Sequence, residues 1–128
     1  FLDERRGTGE SPGLWGTTGI HPHEADAARP GDMDVIREIA LTRTDIVAVG
    51  ETGLDFYYDN SPRDVQEELF RNHMDLAAEL DLPIVVHSRN ADDRTRQILE
   101  EWGGLVRGVL HCFTGGDYLL QTALDLGW

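Results

Sequence analysis

Ile46-Val47-Ala48-Val49-Gly50-Glu51 decides how this chain reads: a β-branched apolar run, of the kind buried in a parallel sheet, closing on a carboxylate. Outward from it the same construction recurs three times. Ile20 leads into His21, Pro83-Ile84-Val85-Val86 into His87, and Val109-Leu110 into His111. In a parallel α/β sheet or barrel the C-terminal ends of the strands gather at one rim, where ligands and active sites sit. Three histidines and a glutamate are therefore expected to converge.

Helical patterns separate these runs, and the alternation predicts a parallel sheet wrapped by helices. A strand is expected over Leu14 to Ile20, stopped by Pro22. Pro30-Gly31 breaks the chain, and Asp32 caps a helix to about Thr42 with Val35, Ile36, Ile39 and Ala40 inward. The strand Ile46 to Gly50 leads through Gly53 into a loop, Asp55 to Asn60, that carries Phe56, Tyr57 and Tyr58. Ser61 suits an N-cap and Pro62 the first position of a helix to about Leu80. Its inward residues are Val65, Leu69, His73 or Met74, Leu76, Ala77 and Leu80. Leu82 to Val86 predicts a strand covered on both faces. A helix starting within Asn90 to Asp93 buries Ile98, Leu99 and Trp102 and stops at Gly103-Gly104. Gly108 to Leu110 is the fourth strand. A last helix after Gly115-Gly116-Asp117 carries Leu119, Leu120, Ala123 and Leu124, and Trp15 and Trp102 read as core.

The 128 residues are 40% hydrophobic with a mean hydropathy of -0.38, as expected of one soluble globular domain. With 11 basic and 24 acidic side chains the formal charge is -13, which excludes a broad basic face for nucleic acid. Cys112 is the only cysteine, so neither an intrachain disulfide nor a thiolate zinc cluster can form. No apolar run approaches the length of a membrane span, and the expected compartment is the cytoplasm. The chain opens on Phe1 rather than Met and closes on Leu126-Gly127-Trp128, which reads like the entry to another strand. A fragment is expected, with residues 1–13 a loop or poorly ordered end.

Imidazole nitrogens and carboxylate oxygens suit a divalent metal that keeps positions open for water and substrate. Glu51, His87 and His111 supply that mixture. Arg89 either clamps a phosphate with its planar fork or forms a rim salt bridge with Asp92 or Asp93. Asp55 orients a ligand or merely turns its loop. His23 reads as a solvated loop residue and His73 as structural. Strand alternation points Cys112 away from His111. Tyr57, Tyr58, Phe56 and Phe113 either stack on bases or close the rim by packing.

Four segments then carry a specific resemblance: Gly19-Ile20-His21-Pro22-His23, Val49-Gly50-Glu51-Thr52-Gly53-Leu54-Asp55-Phe56-Tyr57, Pro83-Ile84-Val85-Val86-His87-Ser88-Arg89 and Leu110-His111-Cys112-Phe113-Thr114-Gly115. In order and spacing the chain resembles, from about Leu14 to its end, the TatD family of metal-dependent deoxyribonucleases of the amidohydrolase superfamily. The resemblance implies a (β/α)8 TIM barrel that hydrolyses DNA phosphodiester bonds with two divalent ions, Mg2+, Mn2+ or Zn2+. It implies that Glu51 is the carboxylate shared by both ions and that His87 and His111 bind the second. His21 is implied to lie by the scissile phosphate as a catalytic and substrate-binding residue rather than a metal ligand, with Arg89 and Asp55 also at the substrate. The family's opening His-x-His pair and its late strand-end aspartate have no counterpart here, and Asp3 and Glu4 lie in the wrong context to replace them. Such a barrel needs about 250 residues. Residues 14–128 are thus expected to be an incomplete barrel, roughly strands two to five with their helices, inactive alone. The DNA partner implied is a single strand or frayed end. Alternatives are an amide, ester or lactone hydrolase of the same superfamily and a non-catalytic remnant.

Overall fold

Each apolar run forms a strand, and each strand leads into a helix or a helical turn. The computed structural model describes residues 13–128, so the loop expected over 1–13 lies, apart from Gly13, outside the described residues. In order the elements are β1 (Gly16–Thr18), a 3-10 turn (Pro22–Ala27), α1 (Asp32–Thr42), β2 (Ile46–Asp55), α2 (Arg63–Leu80), β3 (Ile84–Arg89), α3 (Asp92–Trp102), a second 3-10 turn (Gly103–Leu105), β4 (Gly108–Leu110) and α4 (Asp117–Asp125). The strands form one sheet in the order β1-β2-β3-β4, every neighbouring pair parallel. Consecutive βα units laid side by side in chain order make an arc of a (β/α)8 barrel.

The helices cover one face of that arc. Along α2 the buried side chains are Gln66, Leu69, Phe70, His73, Met74, Leu76 and Ala77, the three-and-four spacing of a single helical face. Phe70, Met74, Leu76 and Ala77 pack with Val49 and Leu54 of β2, Ile84 and Val86 of β3, Ile98 and Leu99 of α3 and Leu119 of α4 in one core. Fully burying each such apolar side chain contributes about 1.5–3 kcal/mol, so α2 is the principal clamp on the sheet. Arg71 bridges Glu101 on α3 at 2.8 Å and Arg37 on α1 bridges Glu79 at 2.8 Å, exposed pairs that add little stability but set how the helices lie.

Several expectations are corrected. The second strand does not stop at Gly50 but continues to Asp55, shifting register between Gly50 and Thr52. Glycine lowers strand propensity, which is why the run seemed to end there. Yet Gly50 and Gly53 have φ of 133° and 129°, and a Cβ on them would lie 2.5 Å from the Val85 carbonyl oxygen and 2.0 Å from that of His87. Only glycine lets β3 approach so closely. Ser61 is no helix cap: α2 begins after Pro62, and the buried Ser61 hydroxyl is engaged elsewhere. Asp32 is the first residue of α1 after Gly31, its carboxylate accepting from the Arg29 N–H.

Val35, Leu120, Leu124 and Trp15 are exposed rather than inward. Val35 and the two leucines lie on exposed flanks of α1 and α4, and Trp15 precedes an edge strand. Trp102 is half-buried against the core and donates from its indole to Asp75 at 3.1 Å. The third strand is not covered on both faces. On the side away from the helices Val109 is 54% exposed, Val47 is exposed and Val85 only half-buried.

Candidate metal centre

The extension of β2 puts two carboxylates on one strand. Gly53 pairs with His87 and Asp55 with Arg89, so Glu51 and Asp55 stand beside the end of β3. His111 directly follows β4, its N–H donating to the Val86 carbonyl at 2.8 Å. His21 follows β1, extended as the residue before Pro22 must be, and caps the 3-10 turn. All four residues expected at the rim therefore meet around one atom. Glu51 Oε1 lies 3.4 Å from His87 Nδ1, 3.5 Å from His111 Nδ1 and 3.9 Å from His21 Nε2.

Proton positions follow from the partners. Asp55 is fully buried, and both of its oxygens are engaged. Its Oδ2 accepts from His87 Nε2 at 2.8 Å and from His23 Nε2 at 3.0 Å, and its Oδ1 from the N–H groups of Tyr58 at 2.8 Å and Tyr57 at 3.1 Å. Burial pushes the Asp55 carboxyl up, but the Tyr58 N–H and the two imidazoles outweigh it and hold the group down at about 2. An ionised Asp55 is acceptor only, so in a neutral His87 the proton resides on Nε2 and the Nδ1 lone pair faces Glu51. Two lone-pair donors 3.4 Å apart with no proton between them fit a cation, since ligand atoms about 2.1 Å from a tetrahedrally bound ion stand about 3.4 Å apart. The chemistry of the donor set fits a divalent cation at Glu51 and His87, whose donor atoms and one from His21 all lie within 4.8 Å of one another, and His111 adds an imidazole 3.5 Å from Glu51 Oε1.

Besides the cluster of His21, Glu51 and His87, a second one of His23, Asp55 and His87 has its ligand atoms within 4.8 Å of one another. With four hydrogen bonds already accepted, Asp55 has no lone pair to spare, and it orients His87 as carboxylates behind metal-binding histidines do. His21 differs from His87 in its free nitrogen. Its Nδ1 accepts from the His23 N–H at 3.2 Å, leaving the proton of the neutral ring on Nε2, which points toward Glu51. Burial, then the neighbouring His87 and His23 rings, push its pKa below the usual histidine value, so the ring is a neutral donor near pH 7.

Three supporting residues escaped the sequence reading. His23, expected in solvent, is half-buried between His21, His87 and Tyr58 and bonded to Asp55. Gln66, buried on α2, accepts the Asp55 N–H at 2.8 Å and donates to the carbonyl of Ser61 at 2.7 Å, fixing the strand end against the helix. Ser61 in turn accepts the Asp26 N–H and donates to the His23 carbonyl, tying that turn to the loop. Gln66 had a signal: a polar residue three positions before Leu69, on the apolar face. His73 is structural as expected, its Nε2 accepting the Ile20 N–H at 3.0 Å and its Nδ1 donating to the Leu69 carbonyl at 2.7 Å.

Arg89 forms no salt bridge with Asp92 or Asp93. Its guanidinium carbon lies 4.5 Å from the ring centre of Tyr57 and 5.0 Å from that of Tyr58. A cavity of about 440 Å³ opens between Tyr57, Arg89, His87 and His111. Cys112 borders it too, and strand alternation does not govern it: β4 stops at Leu110, Cys112 has a φ of 47°, and its Sγ comes within 3.7 Å of His111 Nε2.

Known proteins resemble this chain in sequence and in fold. The family model for TatD related DNase matches residues 5–128. A Bacillus subtilis protein named as an uncharacterized metal-dependent hydrolase, YabD, is 42% identical over 116 residues, 90% of this chain and 45% of its own length. The Salmonella typhimurium 3'-5' ssDNA/RNA exonuclease TatD is 38% identical over 117 residues, 91% of this chain and 45% of the relative. The crystal structure of YjjV, a TatD homolog from Escherichia coli, superposes with a TM-score of 0.82 at 28% identity, covering 92% of this chain and 46% of that one. The chain thus spans a little under half the length of these relatives, and its four βα units are part of a TIM barrel. Family model, relatives and fold coincide: the chain belongs to the TatD related DNase family.

Proposed function

We propose that the protein containing this chain is a divalent-metal-dependent hydrolase that cleaves phosphodiester bonds of DNA, on single strands or frayed ends, in the cytoplasm. The observation that carries the reading is the convergence of His87 Nδ1 and His111 Nδ1 on Glu51 Oε1 at 3.4 and 3.5 Å, with His87 steered from behind by an ionised Asp55. The name of the Salmonella relative supports the nucleic-acid substrate. Among the described residues no helix is long and apolar enough to cross a membrane. Residues 14–128 form an incomplete barrel domain in this reading.

Glu51, His87 and His111 would hold a divalent ion, and Glu51 would contribute its carboxylate to a second. Such ions, when bound, make water nucleophilic near neutral pH and offset charge on the phosphoryl oxygens. The rest falls to the chain's own side chains. The neutral His21 offers its Nε2–H to a phosphate oxygen at the rim. Arg89, bound to no carboxylate among the described residues, presents its N–H edge to a neighbouring phosphate. Asp55 keeps the His87 lone pair turned inward. The acidic surface matters less than its total suggests, because the arginines of the outer helices pair with carboxylates while the rim carries histidines and Arg89.

A substrate panel tests the proposal. With Mn2+ the protein should shorten a single-stranded oligonucleotide, and EDTA should stop it. Turnover confined to p-nitrophenyl acetate or a lactone would transfer the site to carboxyl derivatives, and no turnover of either class in metal-loaded protein would make it a non-catalytic relative.

A further inference from the structure

Two exposed aromatic rings at the rim contact each other and an arginine. Tyr57 and Tyr58 are 57% and 54% exposed, and their rings meet edge to face with centres 4.9 Å apart. Asp55 Oδ1 accepts both backbone N–H groups, so the carboxylate that orients His87 also fixes this corner. The Arg89 guanidinium lies against both rings at 4.5 and 5.0 Å. It is bound to no carboxylate among the described residues, whereas Arg37, Arg43, Arg63, Arg71, Arg94 and Arg96 are each held by at least one. Tyr57 and Arg89 line the same cavity as His87 and His111.

We propose that Tyr57 and Tyr58, braced by Arg89, are a stacking platform for an unpaired nucleobase next to the phosphodiester held at Glu51. The proposal rests on the hydrolase reading above and adds what selects the strand. A chain with a formal charge of -13 gains little from general attraction to phosphate, so affinity for a polyanion at this rim needs a contribution that repulsion does not touch. Stacking on an exposed ring is such a contribution, and every base has a face to offer. In a duplex those faces are covered by neighbouring pairs, so the platform favours single strands and frayed ends. Arg89 leaves its N–H edge outward while stacked, which places a phosphate contact beside the base.

The test uses single-stranded oligonucleotides carrying 2-aminopurine next to either end, bound to the protein that contains this chain with Ca2+ as the only divalent ion. Stacking on Tyr57 should quench the fluorescence, and Tyr57→Leu should abolish the quenching and weaken binding about ten- to a hundredfold. Tyr57→Phe, which keeps the ring, should retain both, and the same sequence in a blunt duplex should show neither. Absent quenching with the natural residue, quenching unchanged in Tyr57→Leu, or equal quenching by the duplex overturns the platform. Cleavage with Mn2+ is followed on the same samples. Tyr57-dependent quenching without cleavage leaves the platform standing and refutes the hydrolase reading; cleavage with Tyr57-independent quenching does the reverse.

Discussion

Asp55 is the residue through which the site is organised, because one carboxylate sets the tautomer of His87, holds His23 and fixes the backbone of two tyrosines. Asp55→Asn supplies one oxygen and one NH2 where four donors converge, so His87 loses its orientation. Metal affinity measured by titration calorimetry should fall about ten- to a hundredfold, the usual cost of removing a carboxylate behind a metal-binding histidine. Glu51, His87, His111 and His21 were legible in the sequence because each follows an apolar run, and the structure brings all of them together. His23 was not, since its value comes from Asp55 on another strand, and local sequence cannot report a partner 32 residues away. The exposure of Trp15 was equally hidden, for an apolar ring at an open sheet edge looks the same in sequence as one in the core.

At the scale of elements the helices and strands were largely readable, β4 to the residue, while the length of β2 was not. Its two glycines read as punctuation, yet they are where β3 comes closest. Gly53→Ala should therefore destabilise by more than about 1 kcal/mol in chemical denaturation, since it adds a methyl group against the His87 carbonyl at a backbone angle alanine disfavours. The junction of β1 and α2 should respond to pH. His73 is buried with a pKa pushed below its ordinary value by burial, and its neutral Nε2 accepts the Ile20 N–H just before His21. The unfolded chain takes up a proton near the ordinary pKa of 6.5 while the folded chain resists. Stability is thus complete above that value and declines as the pH falls below it. Thermal unfolding between pH 7.5 and 5.5 should show this slope, and His73→Gln, which cannot titrate, should reduce it to the part that His21 contributes.

At the scale of the whole molecule, β1 and β4 have open edges among the described residues, and Val47, Val85 and Val109 face away from the helices. Open parallel edges and an apolar sheet face promote association. The 128-residue chain by itself should sediment as oligomers whose size grows with concentration, and Val109→Asp should shift it toward monomer. The continuous apolar run of β3 predicted a strand covered on both sides. Its helix side meets that expectation; its other side belongs to the barrel of which these four βα units are an arc. The most direct test of the account remains the central carboxylate. Mn2+ binding to the protein containing this chain should be measured by titration calorimetry beside Glu51→Gln, a substitution that keeps shape and removes the negative charge. The account predicts binding at least a hundredfold weaker in the variant. Binding equal in the two would contradict it and place any metal elsewhere.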